Sequence, residues 1–213
     1  WEMNNKLYKI LPRTYHLEIR FNGDETQCQF HHFYKSEQLT IFNIPKCAST
    51  TLKFYFNFLT THLQEGHRKL LFLREPYARI KSAYKMKCRN EKGTDSFTNI
   101  VRGYQDYLEG KPVPYEKYND LMHFIPQHSY VDAFGGEFDF VGRVENLQQS
   151  IDQLNTNWNI KDYKLKYENQ NSFDDAEEKQ FEHEYEKILR ANETFYKKYL
   201  EKDIKLYETY IRN

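Results

Sequence analysis

Glycine is scarce in this chain, with eight among 213 residues, and the segment 44–52 (Ile-Pro-Lys-Cys-Ala-Ser-Thr-Thr-Leu) has none. A nucleotide triphosphatase loop needs Gly-x-x-x-x-Gly-Lys-Ser/Thr, so this segment, with its lysine ahead of the turn, is not one. Cysteine is scarce as well. Cys28, Cys47 and Cys88 are odd in number and lack metal-type spacing, which argues against a disulfide framework and against a zinc site. A thiolate-dependent phosphatase needs arginine six positions after its cysteine; Cys47, at a helix start that would depress its pKa, is followed there by Lys53. Cys47 reads instead as a small, partly buried loop residue. No apolar run is long enough to cross a bilayer and no signal peptide is visible. Net charge is also missing, with 31 basic residues against 31 acidic ones. No nucleic-acid partner is expected.

What is present begins at residues 39–63. Leu39, Ile41, Phe42 and Ile44 make a strand-length apolar segment, which Pro45 stops. Ser49, Thr50 and Thr51 supply helix-start hydroxyls, and Leu52, Tyr55, Phe56, Leu59 and Leu63 repeat at helical spacing. The order is strand, tight loop, helix. The N–H groups and positive dipole end of that helix would meet Lys46 and three hydroxyls, an arrangement that suits a phosphate-like anion. An ordinary turn with a surface lysine explains the segment equally well.

A second stretch breaks the tie. Residues 70–73 (Leu-Leu-Phe-Leu) form another short strand, Arg74 ends it, and Pro76 stands where a first helical residue is expected. On that helix Tyr77, Ile80 and Tyr84 share one face, with Arg79 and Ser82 on roughly the opposite one. Arg74 and Ser82 are thus predicted to reach one ligand. The two strands are expected to be parallel neighbours joined by a right-handed crossover, with their carboxyl ends lining a crevice.

Elsewhere, residues 14–34 alternate around Asn22-Gly23 and predict a β-hairpin, on which His31 and His32 would point to opposite faces. Residues 95–109 predict a helix. Residues 111–131, rich in Pro and Tyr and carrying His123 and His128, predict a long connecting loop. A strand is expected over 138–141, then a helix with the stripe Val144, Leu147, Ile151, Leu154 and Trp158. The remainder, 174–210, reads as mostly helical, with Phe181, Tyr185, Ile188 and Leu189 inward and its acids solvated. Charge is uneven: residues 46–92 hold eleven Lys or Arg against three acids, and 168–186 hold eight acids against Lys179. That asymmetry gives mild support for an anionic ligand. The fold class is α/β: a central, mainly parallel sheet flanked by helices, with an N-terminal β-hairpin.

These motifs carry a resemblance. Ile44-Pro-Lys-Cys-Ala-Ser-Thr-Thr-Leu52 resembles the 5′-phosphosulfate loop, and Leu73-Arg-Glu-Pro-Tyr-Ala-Arg-Ile-Lys-Ser-Ala-Tyr84 the 3′-phosphate motif, of sulfotransferases that use 3′-phosphoadenosine 5′-phosphosulfate (PAPS). Met122-His-Phe-Ile-Pro-Gln127 and Phe138-Asp-Phe-Val-Gly-Arg-Val-Glu-Asn-Leu147 resemble segments of the chondroitin and dermatan carbohydrate sulfotransferases. The loop is also similar to that of heparan 2-O-sulfotransferases. Glu75 stands where the family has aspartate and Phe124 where it has tryptophan.

The resemblance covers roughly residues 39–154, with a fainter echo near 196–207. It implies a fold related to nucleotide kinases, and one sulfotransferase domain over 1–213, made of the hairpin 14–34, a cofactor-binding core 39–158 and C-terminal helices 174–210. Its implied cofactor residues are Lys46, Cys47, Ala48, Ser49, Thr50, Thr51, Arg74, Ser82 and Arg143. Its implied catalytic residues are Lys46 and His123, with His67 and His128 in reserve as bases and no metal. PAPS would be released as adenosine 3′,5′-bisphosphate after transfer to a hydroxyl, expected to be on a glycan. The alternatives are a non-catalytic nucleotide- or glycan-binding module and a small-molecule kinase-like phosphotransferase. Unpaired cysteines favour the cytoplasm; a Golgi-lumenal fragment whose anchor was removed upstream of Trp1 is the other expectation.

Overall fold

Alternation along two central strands sets the architecture. In a computed structural model, which describes residues 21–22, 25–26, 31–34, 39–56, 66, 68–87, 101–103, 106, 123–135, 137–158 and 175–211, Leu39 and Ile41 face one side of a sheet and Phe42 the other. Likewise Leu70 and Phe72 face the first side, and Leu71 and Leu73 the second. These residues are at most 1% exposed. A strand buried on both faces has to be covered by helices on both, the usual situation for parallel strands.

The element order begins with β1 (Phe21–Asn22), β2 (Glu25–Thr26), β3 (His31–Tyr34), β4 (Leu39–Phe42), α1 (Ser49–Phe56) and β5 (Arg68–Leu73). It continues with α2 (Pro76–Lys87), α3 (Gln127–Phe134), β6 (Phe140–Arg143), α4 (Leu147–Trp158), α5 (Asp175–Ala191) and α6 (Glu193–Ile211). The sheet order is β3-β4-β5-β6. β3 is antiparallel to β4, whereas β4, β5 and β6 run parallel, with Ile41 opposite Leu70 and Leu73 opposite Arg143. The fold is therefore α/β, as the sequence predicts, and β4 and β5 are parallel neighbours. Leu52 of α1 and Leu147, Ile151 and Leu154 of α4 cover one face. Residues of α2, α3, α5 and α6 cover the other.

Several boundaries differ from expectation. β1 and β2 pair as Phe21↔Thr26 and Asn22↔Glu25, so Gly23-Asp24 lie between the paired residues in place of Asn22-Gly23. The rest of the predicted hairpin divides, because β3 pairs with β4 as the edge of the main sheet. The third parallel strand lies at 140–143 and not at 138–141. There Gly142 lets β6 pass Phe72, whose ring a Cβ would meet at 2.5 Å. The expected 95–109 helix is described only at 101–103 and 106, all helical. The predicted loop 111–131 is corrected at its end, where 127–134 is helical. Pro126 precedes this helix with φ −56°, and Gly135 ends it in the left-handed conformation.

The charge asymmetry has an internal partner. Lys81 and Lys85 of α2, one turn apart, form ion pairs with Glu182 and Glu178 of α5. Those acids are thus not simply solvated, and part of the basic excess serves to dock α5. Tyr84 stacks on Phe181 and Tyr185 beside these pairs. Burial of the rings carries most of that contact, since ion pairs this exposed contribute about 0–1 kcal/mol each.

Candidate active site at the carboxyl ends of the parallel strands

The loop after β4 closes on itself through strained backbone. Cys47 N–H donates to Ile44 O at 3.1 Å. Lys46 and Ala48 hold φ of 70° and 60°, left-handed values that cost non-glycine residues about 1–3 kcal/mol each. Such alternation of backbone hand turns main-chain N–H groups toward a common point, an anion-binding concavity. Helix α1 then starts with Leu52 N–H donating to Ala48 O at 2.9 Å. The N–H groups of Ser49, Thr50 and Thr51 precede that first helical bond, and no acid stands in the first turn. Of the three hydroxyl residues, Thr50 is exposed, Ser49 half-buried and Thr51 buried.

Arg74, at the exit of β5, reaches this loop directly. Its Nη1 donates to Lys46 O at 3.2 Å. The Lys46 ammonium lies 3.4 Å from Met86 Sδ, one turn beyond the half-buried Ser82 on α2. Arg74 and the Lys46 loop are thereby joined, and Ser82 lies one helical turn before Met86. Glu75, which replaces aspartate in the motif, still caps α2, because its Oε2 accepts from Ala78 N–H at 2.6 Å. Arg143 ends β6 opposite Leu73, at the same sheet edge as Arg74. Its main chain is fixed by Ser150 Oγ, which accepts from Arg143 N–H at 2.9 Å.

Cys47, one of the residues expected at the cofactor, has its own polar groups engaged within the fold. Its N–H is committed to Ile44 O and its Sγ lies 3.2 Å from Gln127 Oε1, so it holds the turn. Its thiol is also not depressed by the helix start. Burial pushes it up to about 11, against the opposing pull of Arg79 and Arg74. The neutral thiol is the stable form in the fold, which removes the thiolate-phosphatase reading a second time. Native protein at pH 8 is expected to leave Cys47 unalkylated by iodoacetamide while urea-unfolded chain reacts, as peptide mass mapping would show. The sign follows from the raised value: the stabilising preference for the neutral thiol is complete below about pH 9 and is lost as pH climbs toward about 11. Rapid native alkylation of Cys47 at pH 8 would contradict this burial.

Arg79, which the helical spacing puts with Ser82 on the face opposite Tyr77, Ile80 and Tyr84, is 1% exposed and joins two segments. Its Nε donates to Pro45 O at 2.9 Å and its Nη1 to Ile125 O at 2.8 Å. Its Nη2 is buried without a hydrogen-bond partner among the described residues, leaving a charged donor beside the loop. Arg79 thus holds the segment carrying His123 against the loop carrying Lys46. His123 itself is half-buried, next to fully buried Phe124. His67 lies outside the described residues. His128 sits in the first turn of α3 with Nδ1 2.8 Å from Asp203 Oδ1.

Helix α6 supplies a group the sequence reading missed. Tyr199, Asp203 and Tyr207 recur every four residues, and all three hold segments at this edge. Tyr199 OH donates to Phe124 O at 2.7 Å, and Tyr207 OH to Glu145 Oε2 at 2.8 Å. Asp203, 1% exposed, accepts from Gln127 N–H and His128 N–H, both at 2.8 Å. The available signal was an aspartate on the apolar stripe Tyr196, Leu200, Asp203, Tyr207, because a buried carboxylate needs partners.

The sulfotransferase family model matches residues 60–210, more than half of the chain. The chain belongs to the sulfotransferase family. The match takes in Arg74, Ser82, His123 and Arg143, and starts after the loop 44–52 that the fold sets against Arg74. No curated protein and no solved structure matches the chain significantly. Among the described residues no helix is long and apolar enough to cross a membrane.

Proposed function

We propose that this chain moves a sulfuryl group from PAPS to a hydroxyl of a carbohydrate acceptor, as a single sulfotransferase domain. The observation that carries the reading is the meeting of two anion-binding elements, with Arg74 Nη1 bonded to the carbonyl of Lys46. The strained, glycine-free loop, the open first turn of α1 and the buried Arg79 Nη2 fit a ligand with several negative charges. When bound, PAPS would supply the activated sulfuryl group. The N–H groups of residues 48–51, the hydroxyls of Ser49 and Thr50 and the Lys46 ammonium would hold the 5′-phosphosulfate. Thr51, being buried, would add its N–H more readily than its hydroxyl.

Arg74 and Ser82 would hold the 3′-phosphate, the guanidinium by a two-point fork. Arg143 would add charge from the neighbouring strand end. Lys46 would neutralise the negative charge that grows on the leaving oxygen, a fixed positive group being most effective where charge develops. His123 would take the acceptor's proton. Two observations favour it over His128: Arg79 ties its segment to the loop, and the His128 ring is engaged by Asp203.

Adenosine 3′,5′-bisphosphate is expected to raise the melting temperature in the absence of magnesium. A ligand at about 100 times its dissociation constant stabilises by roughly 2.7 kcal/mol. ATP should do less. A magnesium-dependent response to ATP as large as that to the bisphosphate would replace this reading with the kinase-like one. Labelled PAPS offered to a panel of glycans and small hydroxyl compounds, read by mass gain, then identifies the acceptor class.

A further inference from the structure

Between the loop that carries Lys46 and the residue that carries the Arg74 guanidinium lies one buried amide. Gln127 is fully buried. Its Oε1 accepts from Arg74 N–H at 3.0 Å and its Nε2 donates to Arg74 O at 2.7 Å. The same Oε1 lies 3.2 Å from Cys47 Sγ. β4 ends at Phe42, opposite Leu71, so Arg74 has run past the end of its neighbour on that side. The Gln127 amide bonds both main-chain groups of Arg74, as a strand residue would, and spans the gap to the loop. Gln127 is held in turn by the buried Asp203 carboxylate, which accepts from its N–H.

We propose that Gln127 is a positioning residue of the donor site. Its side-chain amide fixes the spacing between Arg74 and the loop 45–48, and Asp203 holds the Gln127 main chain in place from α6. The proposal rests on the reading above that Arg74 and this loop bind the two charged ends of the donor. A spacer between two anion subsites matters for a ligand that spans both, because misplacing either end costs binding before any chemistry occurs.

The test compares Gln127→Met, which keeps the side-chain length and removes all three contacts, with Asp203→Asn and with Tyr185→Phe. The last variant removes a hydrogen bond from Tyr185 OH to Tyr77 O, between α5 and α2, and none of the contacts of Gln127. Gln127→Met is expected to raise the KM for PAPS and the Kd for adenosine 3′,5′-bisphosphate about tenfold, with kcat changed by less than about threefold. Tenfold corresponds to about 1.4 kcal/mol, the scale of one to two lost hydrogen bonds. Asp203→Asn should move KM in the same direction. Tyr185→Phe should lower the melting temperature with KM unchanged.

Native KM and Kd in Gln127→Met, or an equal rise in KM in Tyr185→Phe, would overturn the proposal. If native protein binds no bisphosphate, the donor reading itself fails, and amide hydrogen exchange still decides the role of Gln127. The Arg74 amide should then exchange at least about tenfold faster in Gln127→Met with the Leu71 amide unchanged, and equal protection at Arg74 would refute the spacer.

Discussion

Replacing His123 with alanine is expected to lower sulfuryl transfer by about 10²–10⁴ while leaving adenosine 3′,5′-bisphosphate binding unchanged, the usual cost of removing a general base. The reasoning is positional. Arg79 binds Ile125 O and Pro45 O together, so the segment starting at His123 is held beside the loop expected to carry the transferring group. Only the neutral imidazole accepts a proton, so turnover of the native enzyme should fall as pH drops through the titration of that ring, and this dependence should vanish in the variant. His128→Ala is the informative comparison. Its ring is bonded to Asp203 at the start of α3, so its removal should lower the melting temperature before it touches the pH profile. Near-native turnover in His123→Ala, with collapse in His128→Ala under saturating PAPS and with the fold intact, would transfer the base to the His128–Asp203 pair.

Lys46→Ala should lower kcat by about 10²–10³ with a much smaller change in PAPS affinity, because a preorganised cation contributes most where charge develops on the leaving oxygen. Arg74→Ala should show the reverse, a weakened KM with kcat less affected. The local geometry makes this contrast sharp. Lys46 holds a left-handed φ of 70°, so alanine there inherits the strain of the turn without the ammonium, and Lys46→Gly supplies the control that relieves it. If Lys46→Gly and Lys46→Ala lose turnover equally, the missing charge is responsible. A change confined to the apparent PAPS affinity in both would remove Lys46 from the transition state.

The sequence by itself determined the parts whose cause is local. Leu39, Ile41, Leu70 and Phe72 had to be strand residues because short apolar runs ended by Pro45 and by Arg74 and Pro76 have few other solutions, and both became parallel neighbours. The turn between β4 and α1 was legible for the same reason: a proline, a lysine and three hydroxyl residues before a helical stripe are all near one another in the chain. The helical C-terminal region was legible too, from the inward spacing of Phe181, Tyr185 and Ile188.

What only the tertiary structure decided depends on partners far away in sequence. Residues 127–131 read as loop in the sequence because the helix that begins there has its first N–H groups capped by Asp203, about 75 residues later, and not by a neighbour. The burial of Arg79 was not legible from its own helix, because the carbonyls that make it tolerable, Pro45 O and Ile125 O, come from two other segments. Cys47 was expected to have its pKa lowered by the helix start, but the core around it reverses the sign, since desolvation outweighs the neighbouring arginines. Lys81 and Lys85 were counted toward an anionic ligand, yet Glu182 and Glu178 face them across the α2–α5 contact. In each case the residue type fixed what was needed, a partner or a neutral form, and the packing of distant segments chose which.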